Sequence, residues 1–426
     1  MTAAPVTPLH QQIYSLQHDR FADLLVQTEN LLIIQDLDGV CMALVNDPLD
    51  RHIDPAYVAA TSAFDGHFYV LTNGEHTGER GVNGIIERTL DRGSGQAQGH
   101  YLPGLAAGGV QWQTRQGEVS HPGVRKAELA FLRAVPDRIR AALVAFAQGH
   151  ALPLDDVTLE HCIQASALDN VASPTANLNT FHRVLVGERD RFADLQRTIA
   201  QLMDTLLMEA HEQGLVDAFF VHYAPNHGRD EDGKERIWLA QGEESGTTDF
   251  QFMLRGAIKE AGVLALLNRY YAQRTGTYPL GPDFSVRQAP QTQADLLALV
   301  KHHFDPALMP LIVGVGDTVT SQVVVEDGVP VAKRGGSDRN FLQLIQAIDT
   351  VFERGNVVVY VDSSGGELKN RRPLAIEERQ GIKTVVAGPG DPQDTTDPLR
   401  LNVVFPGGHR QYCQVFQQAA QTRSGG

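Results

Sequence analysis

Residues 31–40 read Leu31-Leu-Ile-Ile-Gln-Asp36-Leu-Asp38-Gly39-Val40, an apolar run that ends in two aspartates one residue apart and a glycine. Such a run fits a strand buried on both faces of a parallel sheet, and open α/β sheets bind ligands beyond the carboxyl ends of their strands. Asp36 and Asp38 therefore stand at a ligand edge. Side chains two residues apart on an extended segment share a side, so the two carboxylates are expected to crowd together. Like charges that close need a cation, and hard oxygen donors suit Mg²⁺. With the charge neutralised, one carboxylate can attack phosphorus while the other shuttles a proton. Asp-x-Asp-Gly also occurs in plain turns, where Asp caps amides and Gly takes positive φ, so the reading leans on two further segments.

His67-Phe-Tyr-Val-Leu-Thr72-Asn73-Gly74 is a second apolar strand pattern, closing on Thr72 and Asn73. A hydroxyl and a backbone amide at a strand end can hold a phosphoryl oxygen. Met309-Pro-Leu-Ile-Val-Gly-Val-Gly-Asp317 is a third such strand, and its acid can complete a magnesium site. Each segment alone reads as an ordinary turn or strand exit. The three in this order point to phosphoryl transfer.

In these motifs the chain resembles the haloacid dehalogenase superfamily of phosphatases: Asp36-Leu-Asp-Gly39 matches its first motif, Thr72 its second and Gly316-Asp317 its fourth. The resemblance implies a doubly wound, Rossmannoid α/β core with a large inserted cap of the C2 type. It implies Asp36 as nucleophile, Asp38 as general acid and then base, and Thr72 with Asn73 as phosphate holders. Mg²⁺ would be bound by Asp36, Asp317 and the backbone carbonyl of Asp38. Two positions depart from the pattern. The second acid of the fourth motif is replaced by Ser321, so a serine or a water would fill that place. The third motif's lysine is best matched by Lys259, which opens Lys259-Glu-Ala-Gly-Val-Leu-Ala-Leu-Leu267 at helical spacing, although its distance from Asp317 requires an insertion. Arg287, Lys301 and Lys333 are the alternatives.

His100–Gln113 and Gly117–Val119 read as a hairpin that continues the core, much as in the sucrose- and trehalose-phosphate phosphatases. Residues 1–120 are thus expected to form the first part of the core, 121–255 the cap and 256–426 the rest of the core. Helical spacing covers Lys126–Leu132, Asp137–Gln148 and Asp190–Gln213, and Asp217–Tyr223 reads as a strand. In the polar segment that follows, Asn226, His227 and Arg229 offer donors to hydroxyls and phosphate, and Tyr223 offers a flat face with a polar tip. Gly242–Asp249 is a second polar loop whose acids and hydroxyls suit polyol recognition, and the same residues suit a helix entry, with Thr247, Thr248 or Asp249 as N-cap before Phe250–Leu254. After Asp317, a hairpin is expected to turn at Asp327-Gly328, and Lys333–Arg339 reads either as a source of cations and backbone amides near the site or as a loop with Ser337 or Asp338 as N-cap.

Whole stretches, among them Leu71–His76, Asp169–Asn179, Asp249–Gly256 and Gly335–Arg339, resemble one cyanobacterial family of the superfamily, the glucosylglycerol-phosphate phosphatases. That resemblance implies a sugar-phosphate substrate, 2-O-(α-D-glucosyl)-sn-glycerol 3-phosphate, used in compatible-solute synthesis under salt stress. A partner synthase that makes this substrate follows from pathway logic. The rival readings are a phosphatase of sucrose, trehalose or mannosylglycerate phosphate, a phosphomutase, and an inactive regulator of the synthase.

Composition narrows the class. The 426 residues, 42% of them hydrophobic, suffice for a sizeable core split into two domains. The net charge of −15 disfavours nucleic acid and anionic membrane. It also repels a phosphorylated substrate, so the site needs local cations. No apolar run approaches the roughly 20 residues of a membrane span, and the first residues lack a signal-peptide pattern, so a cytoplasmic location is expected. Cys41, Cys162 and Cys413 are too widely spaced for a disulfide frame or a zinc site.

Overall fold

The computed structural model describes residues 7–90, 93–229, 234–241, 244–326, 328–368 and 371–425, and the side chains of residues 227–229 are not among those described. In chain order the strands are β1 (Leu31–Gln35), β2 (Phe68–Leu71), β3 (Gly104–Ala106), β4 (Gln111–Gln113), β5 (Val119–Ser120), β6 (Ala167–Leu168), β7 (Thr175–Asn177), β8 (Phe219–Ala224), β9 (Asn226–Arg229), β10 (Glu235–Ile237), β11 (Asp249–Leu254), β12 (Leu311–Gly316), β13 (Thr320–Glu326), β14 (Val329–Gly335), β15 (Val357–Val361), β16 (Ala375–Arg379), β17 (Ile382–Ala387) and β18 (Val403–Phe405). Among the described residues, one sheet runs β18-β15-β12-β1-β2-β3-β4-β5. It is parallel from β18 to β3, with β4 and β5 added antiparallel.

The apolar runs explain this sheet. Every residue of β1, β2, β15 and β18 is buried. Alternation sends Leu31 and Ile33 to one face, where they pack with Phe21, Tyr412 and Phe416, and Leu32 and Ile34 to the other, where they pack with Leu266, Phe341 and Leu342. Each such fully buried side chain contributes about 1.5–3 kcal/mol. Helices thus cover both faces, the arrangement of a doubly wound fold. At the polar end of β1, Gln35 Oε1 accepts from Tyr57 Oη at 2.8 Å and Tyr412 Oη at 2.6 Å, while its Nε2 is buried without a hydrogen-bond partner among the described residues.

Between β5 and the helix Lys259–Thr275 the chain builds a second, antiparallel sheet in the order β6-β7-β11-β8. Helices Lys126–His150 and Arg189–Glu212 cover one of its faces, and the first of them runs unbroken through Pro136 where sequence spacing gives two segments. Asp249–Leu254 is a strand of this sheet, which corrects the expected helix there. Its alternation decides the matter: Phe250 and Phe252 are fully buried against the helices while Asp249 and Gln251 face away. Two ribbons, β13/β14 and β16/β17, follow the carboxyl ends of β12 and β15. Asp327, expected in the first ribbon's turn, lies outside the described residues.

Candidate active site

β1 and β12 are neighbours in register, Leu31 opposite Leu311 through Gln35 opposite Val315, so Asp36 and Asp317 leave the sheet side by side. The Asp36 amide donates to Val315 O at 2.9 Å and continues that pairing by one residue. The helix Lys259–Thr275 points its first residue at this edge. Lys259, 3% exposed, places Nζ 2.8 Å from Asp36 Oδ2 and 2.7 Å from Asp338 Oδ1. Asp338 in turn accepts through Oδ2 from the amides of Asp317 at 2.9 Å and Thr318 at 3.0 Å. Thr318 Oγ1 donates to Asp317 Oδ1 at 2.7 Å.

One oxygen on each strand-end acid is left without such a donor. Asp36 Oδ1 and Asp317 Oδ2 are buried with no hydrogen-bond partner, and Arg371 Nε comes no closer than 3.9 Å to the latter. Buried carboxylate oxygens are costly unless something pairs with them. Asp36, Asp317 and Asp338 offer ligand atoms within 4.8 Å of one another, three formal negative charges against the ammonium of Lys259 and the more distant guanidinium of Arg371. The donor set fits a hard divalent cation, and the two open oxygens are where it would bind. Gly39 closes the cradle: its φ is +79°, and a Cβ there would lie 2.2 Å from Asp317 Oδ2.

Electrostatics follow the partners. Burial, reinforced by Asp338, pushes the Asp36 carboxyl well above the usual range, and Lys259 pulls it partly back. Burial raises Asp317 to about 7 against the pull of Arg371. Asp338 is also buried, yet Lys259 and the two amides hold its pKa below the ordinary value. For Lys259, burial disfavours the charge but Asp338 and Asp36 outweigh it and raise the pKa. Among the three acids Asp338 is the one whose pKa is held below the ordinary value.

The remaining predicted residues are distributed as follows. Asp38 does not crowd against Asp36, because β1 ends at Gln35 and the chain turns, with the amides of Val40 and Cys41 donating back to Leu37 O at 3.1 and 3.0 Å. Its carboxylate instead pairs with Arg51 Nε at 3.0 Å. Thr72 is buried at the end of β2, where Oγ1 accepts from the Gly74 amide at 3.2 Å, and Asn73 beside it is half-buried. Lys259 stands in the site, whereas Arg287 pairs with Glu128 at 2.7 Å, Lys333 with Glu326 at 2.8 Å, and Lys301 is exposed on its helix. Ser321 does not replace the missing acid. Its Oγ accepts from the Asp391 amide at 2.9 Å, and Asp338 supplies the third carboxylate. Asp338 is at the N-cap position expected for it, but its side chain makes no cap hydrogen bond.

In the cap, Tyr223 is 2% exposed and its ring packs edge-on against Phe250 on the helix-covered face, so it presents no open surface to a sugar. Asn226 Nδ2 donates to Tyr223 O at 3.0 Å and Glu235 Oε2 at 3.1 Å, bonds that hold the hairpin. The side chains of His227 and Arg229 lie outside the described ones. The polar face belongs to Asp249, from the segment read as suited to polyols, and to residues not singled out from sequence: Asn177 Nδ2 donates to Asp249 Oδ1 at 2.8 Å, and Gln251 is paired across the strands with His222 and Thr175. Burial raises the Asp249 pKa, and the charges that act on it include Arg51 and Asp38 from the chain that follows β1, so this face lies toward that part of the core.

A parallel sheet with acids at the ends of two adjacent central strands, a buried lysine between them and a cap inserted in the chain defines a phosphatase of the haloacid dehalogenase class. Within that class, the chain belongs to the glucosylglycerol-phosphate phosphatase family, whose model matches residues 30–420. It is 61% identical over 416 residues to the glucosylglycerol-phosphate phosphatase of Synechocystis sp., covering 97% of this chain and 98% of that one. Among solved structures it is similar to the C-terminal domain of trehalose-6-phosphate phosphatase from C. albicans, at a TM-score of 0.45 and 9% identity over 96% of this chain and 99% of the other. A trehalose-6-phosphate phosphatase related protein is similar at a TM-score of 0.40 and 10% identity, over 92% and 97% of the two chains.

Proposed function

We propose that this chain hydrolyses 2-O-(α-D-glucosyl)-sn-glycerol 3-phosphate to glucosylglycerol and inorganic phosphate, in compatible-solute synthesis under salt stress. The observation that carries this reading is the 61% identity, over almost the full length of both chains, with a phosphatase named for that substrate.

In the proposed mechanism the Asp36 carboxylate attacks phosphorus, the bond from phosphorus to the glycerol oxygen breaks, and the departing oxygen takes a proton from the Asp38 carboxyl. Asp38 then takes a proton from water, the water oxygen attacks phosphorus, and the Asp36–phosphorus bond breaks to return the carboxylate. Lys259, 2.8 Å from Asp36, favours the ionised form of the nucleophile and offers a positive charge to the phosphoryl group. Asp338 positions Lys259 and ties it to the loop of Asp317. Thr72 and Asn73 hold phosphoryl oxygens. Mg²⁺ held by Asp36, Asp317 and the Asp38 carbonyl would supply charge neutralisation at the phosphate. The glucosyl group is read by the polar cap face, where Gln251 Oε1 is a buried acceptor without a partner and the Asn177–Asp249 pair offers further hydrogen bonds. The reading sets the reaction in the cytoplasm, beside the synthase that supplies the substrate. No helix among the described residues is long and apolar enough to cross a membrane.

The test is phosphate release from glucosylglycerol 3-phosphate beside sucrose and trehalose phosphates, with Mg²⁺ or EDTA. Metal-dependent release from the first alone is expected, with none from Asp36→Asn. Preference for another sugar phosphate would overturn the substrate, and release from none would move the reading to a mutase or a regulator.

A further inference from the structure

Glu75 lies three residues beyond Thr72 and takes no part in the mechanism above, yet it is 2% exposed and its carboxylate is saturated with donors. Oε1 accepts from the amides of Ala172 at 2.6 Å and Ser173 at 2.7 Å, and from Ser173 Oγ at 3.1 Å. Oε2 accepts from the Val171 amide at 2.8 Å and from Gln111 Nε2 at 3.1 Å. Three successive amides converging on one carboxylate form an anion nest, here closed by a side chain of the same protein.

The nest joins two parts of the site. At one end, Glu75 continues the loop in which Thr72 Oγ1 accepts from Gly74 and Gly74 O accepts from the Ala107 amide at 2.6 Å, so the phosphate side is stiff. At the other end, residues 171–173 lead directly into β7, whose Asn177 donates to Asp249 on the sugar-facing side of the cap sheet. Arg80 makes a second tie nearby, 3.6 Å from Asp169, but that carboxylate is about half exposed and the pair is correspondingly weak. Burial raises the Glu75 pKa and the amide hydrogen bonds oppose the rise, as expected for a carboxylate enclosed by its donors.

We infer that Glu75 is a positioning residue that sets the span between the phosphate held at Thr72 and the sugar held by Asn177 and Asp249, and so favours long glycosylated monoesters over small ones. The inference rests on the assignment of Thr72 and of the polar cap face made above. Misplacement by about 1 Å costs up to about 10²-fold in rate, and a loosened cap affects only a substrate that touches both ends.

The test compares wild type, Glu75→Gln and Arg80→Ala on glucosylglycerol 3-phosphate and on p-nitrophenyl phosphate, with hydrogen exchange followed at the amides of residues 171–173. For Glu75→Gln, kcat/KM for the glycosylated substrate is expected to fall at least about tenfold, chiefly through KM, while p-nitrophenyl phosphate changes less than about threefold. Arg80→Ala should leave the ratio of the two substrates near that of wild type. An equal loss on both substrates, or on neither, overturns the inference. If wild type turns over only the small ester, the substrate reading falls, and exchange decides the role of Glu75: protection in wild type that is lost in Glu75→Gln supports the tie, and protection unchanged by the substitution overturns it. Should Glu75→Gln fail to fold, fast exchange of these amides in wild type overturns the tie and slow exchange supports it.

Discussion

Replacing Lys259 with Met keeps the length of the side chain and removes its charge. In the native site Nζ lies 2.8 Å from Asp36 and 2.7 Å from Asp338, and all three are buried. Without it, Asp36, Asp317 and Asp338 keep ligand atoms within 4.8 Å of one another, and the cation that remains beside them, Arg371, stands 3.9 Å from Asp317. At that separation two unit charges repel by about 3.5 kcal/mol for an effective dielectric of about 20, so at least one acid must take up a proton. Stranding buried charges this way costs about 3–5 kcal/mol of stability. Asp36 is the acid to protonate, because its pKa is already raised while Asp338 retains two backbone donors. The nucleophile is then neutral and the phosphate loses its buried cation, so kcat should drop by about 10²–10³. Urea unfolding and phosphate release on one preparation measure both effects. Turnover within about threefold of wild type would refute the assignment of Lys259, as would unchanged stability.

Asp338→Asn should lower kcat with little change in KM, because Lys259 loses its anchor while the residues facing the sugar are untouched; steady-state kinetics check the split. Metal affinity should weaken as the pH falls below about 7, since the raised pKa of Asp317 makes protons compete with the cation; half-saturating Mg²⁺ should rise about tenfold per pH unit for one displaced proton, read by titration between pH 5 and 8. By the same sign, this raised acid lowers the stability of the metal-free protein as pH rises from the ordinary carboxylate range through about 7. The stabilisation gained from Mg²⁺ should therefore grow over that window, measured as melting temperature with Mg²⁺ against EDTA. Asp249→Ala should raise KM for the glycosylated substrate by about 10–100-fold with little effect on p-nitrophenyl phosphate, from the loss of a polar contact and the unpairing of Asn177; the ratio of the two substrates checks it.

The fold was legible where burial on both faces writes an unbroken apolar run. β1, β2, β12 and β15 are such runs, and the acids and threonine that follow three of them stand at one edge because neighbouring parallel strands end together. Asp338 was not legible as part of the site. It follows Asp317 by 21 residues, with the β13/β14 ribbon between, and a polar residue ahead of a helix reads locally as a cap. Asp249 falls in a segment whose acids suit a polyol, but the Thr-Thr-Asp signal hid the strand it opens, although the alternation of Phe250, Phe252 and Leu254 already marks a strand with Asp249 and Gln251 on the other face. Tyr223 was misread because strand parity, set by Phe219 and Val221, sends its ring to the helices. Arg51 reaches the site from the loop that follows Asp38 and Arg371 from one well beyond Asp317, and no local pattern distinguishes them from surface cations.

The account depends most on Asp36 becoming phosphorylated during turnover. Acid-quenching the enzyme during steady-state hydrolysis of glucosylglycerol 3-phosphate, reducing the acyl phosphate with borohydride and mapping the product by mass spectrometry tests this directly. Conversion of residue 36 to homoserine, in a yield that rises when Asp38 is replaced by Asn, is the predicted result. Turnover with an unmodified Asp36, or with the modification at another acid, would contradict it.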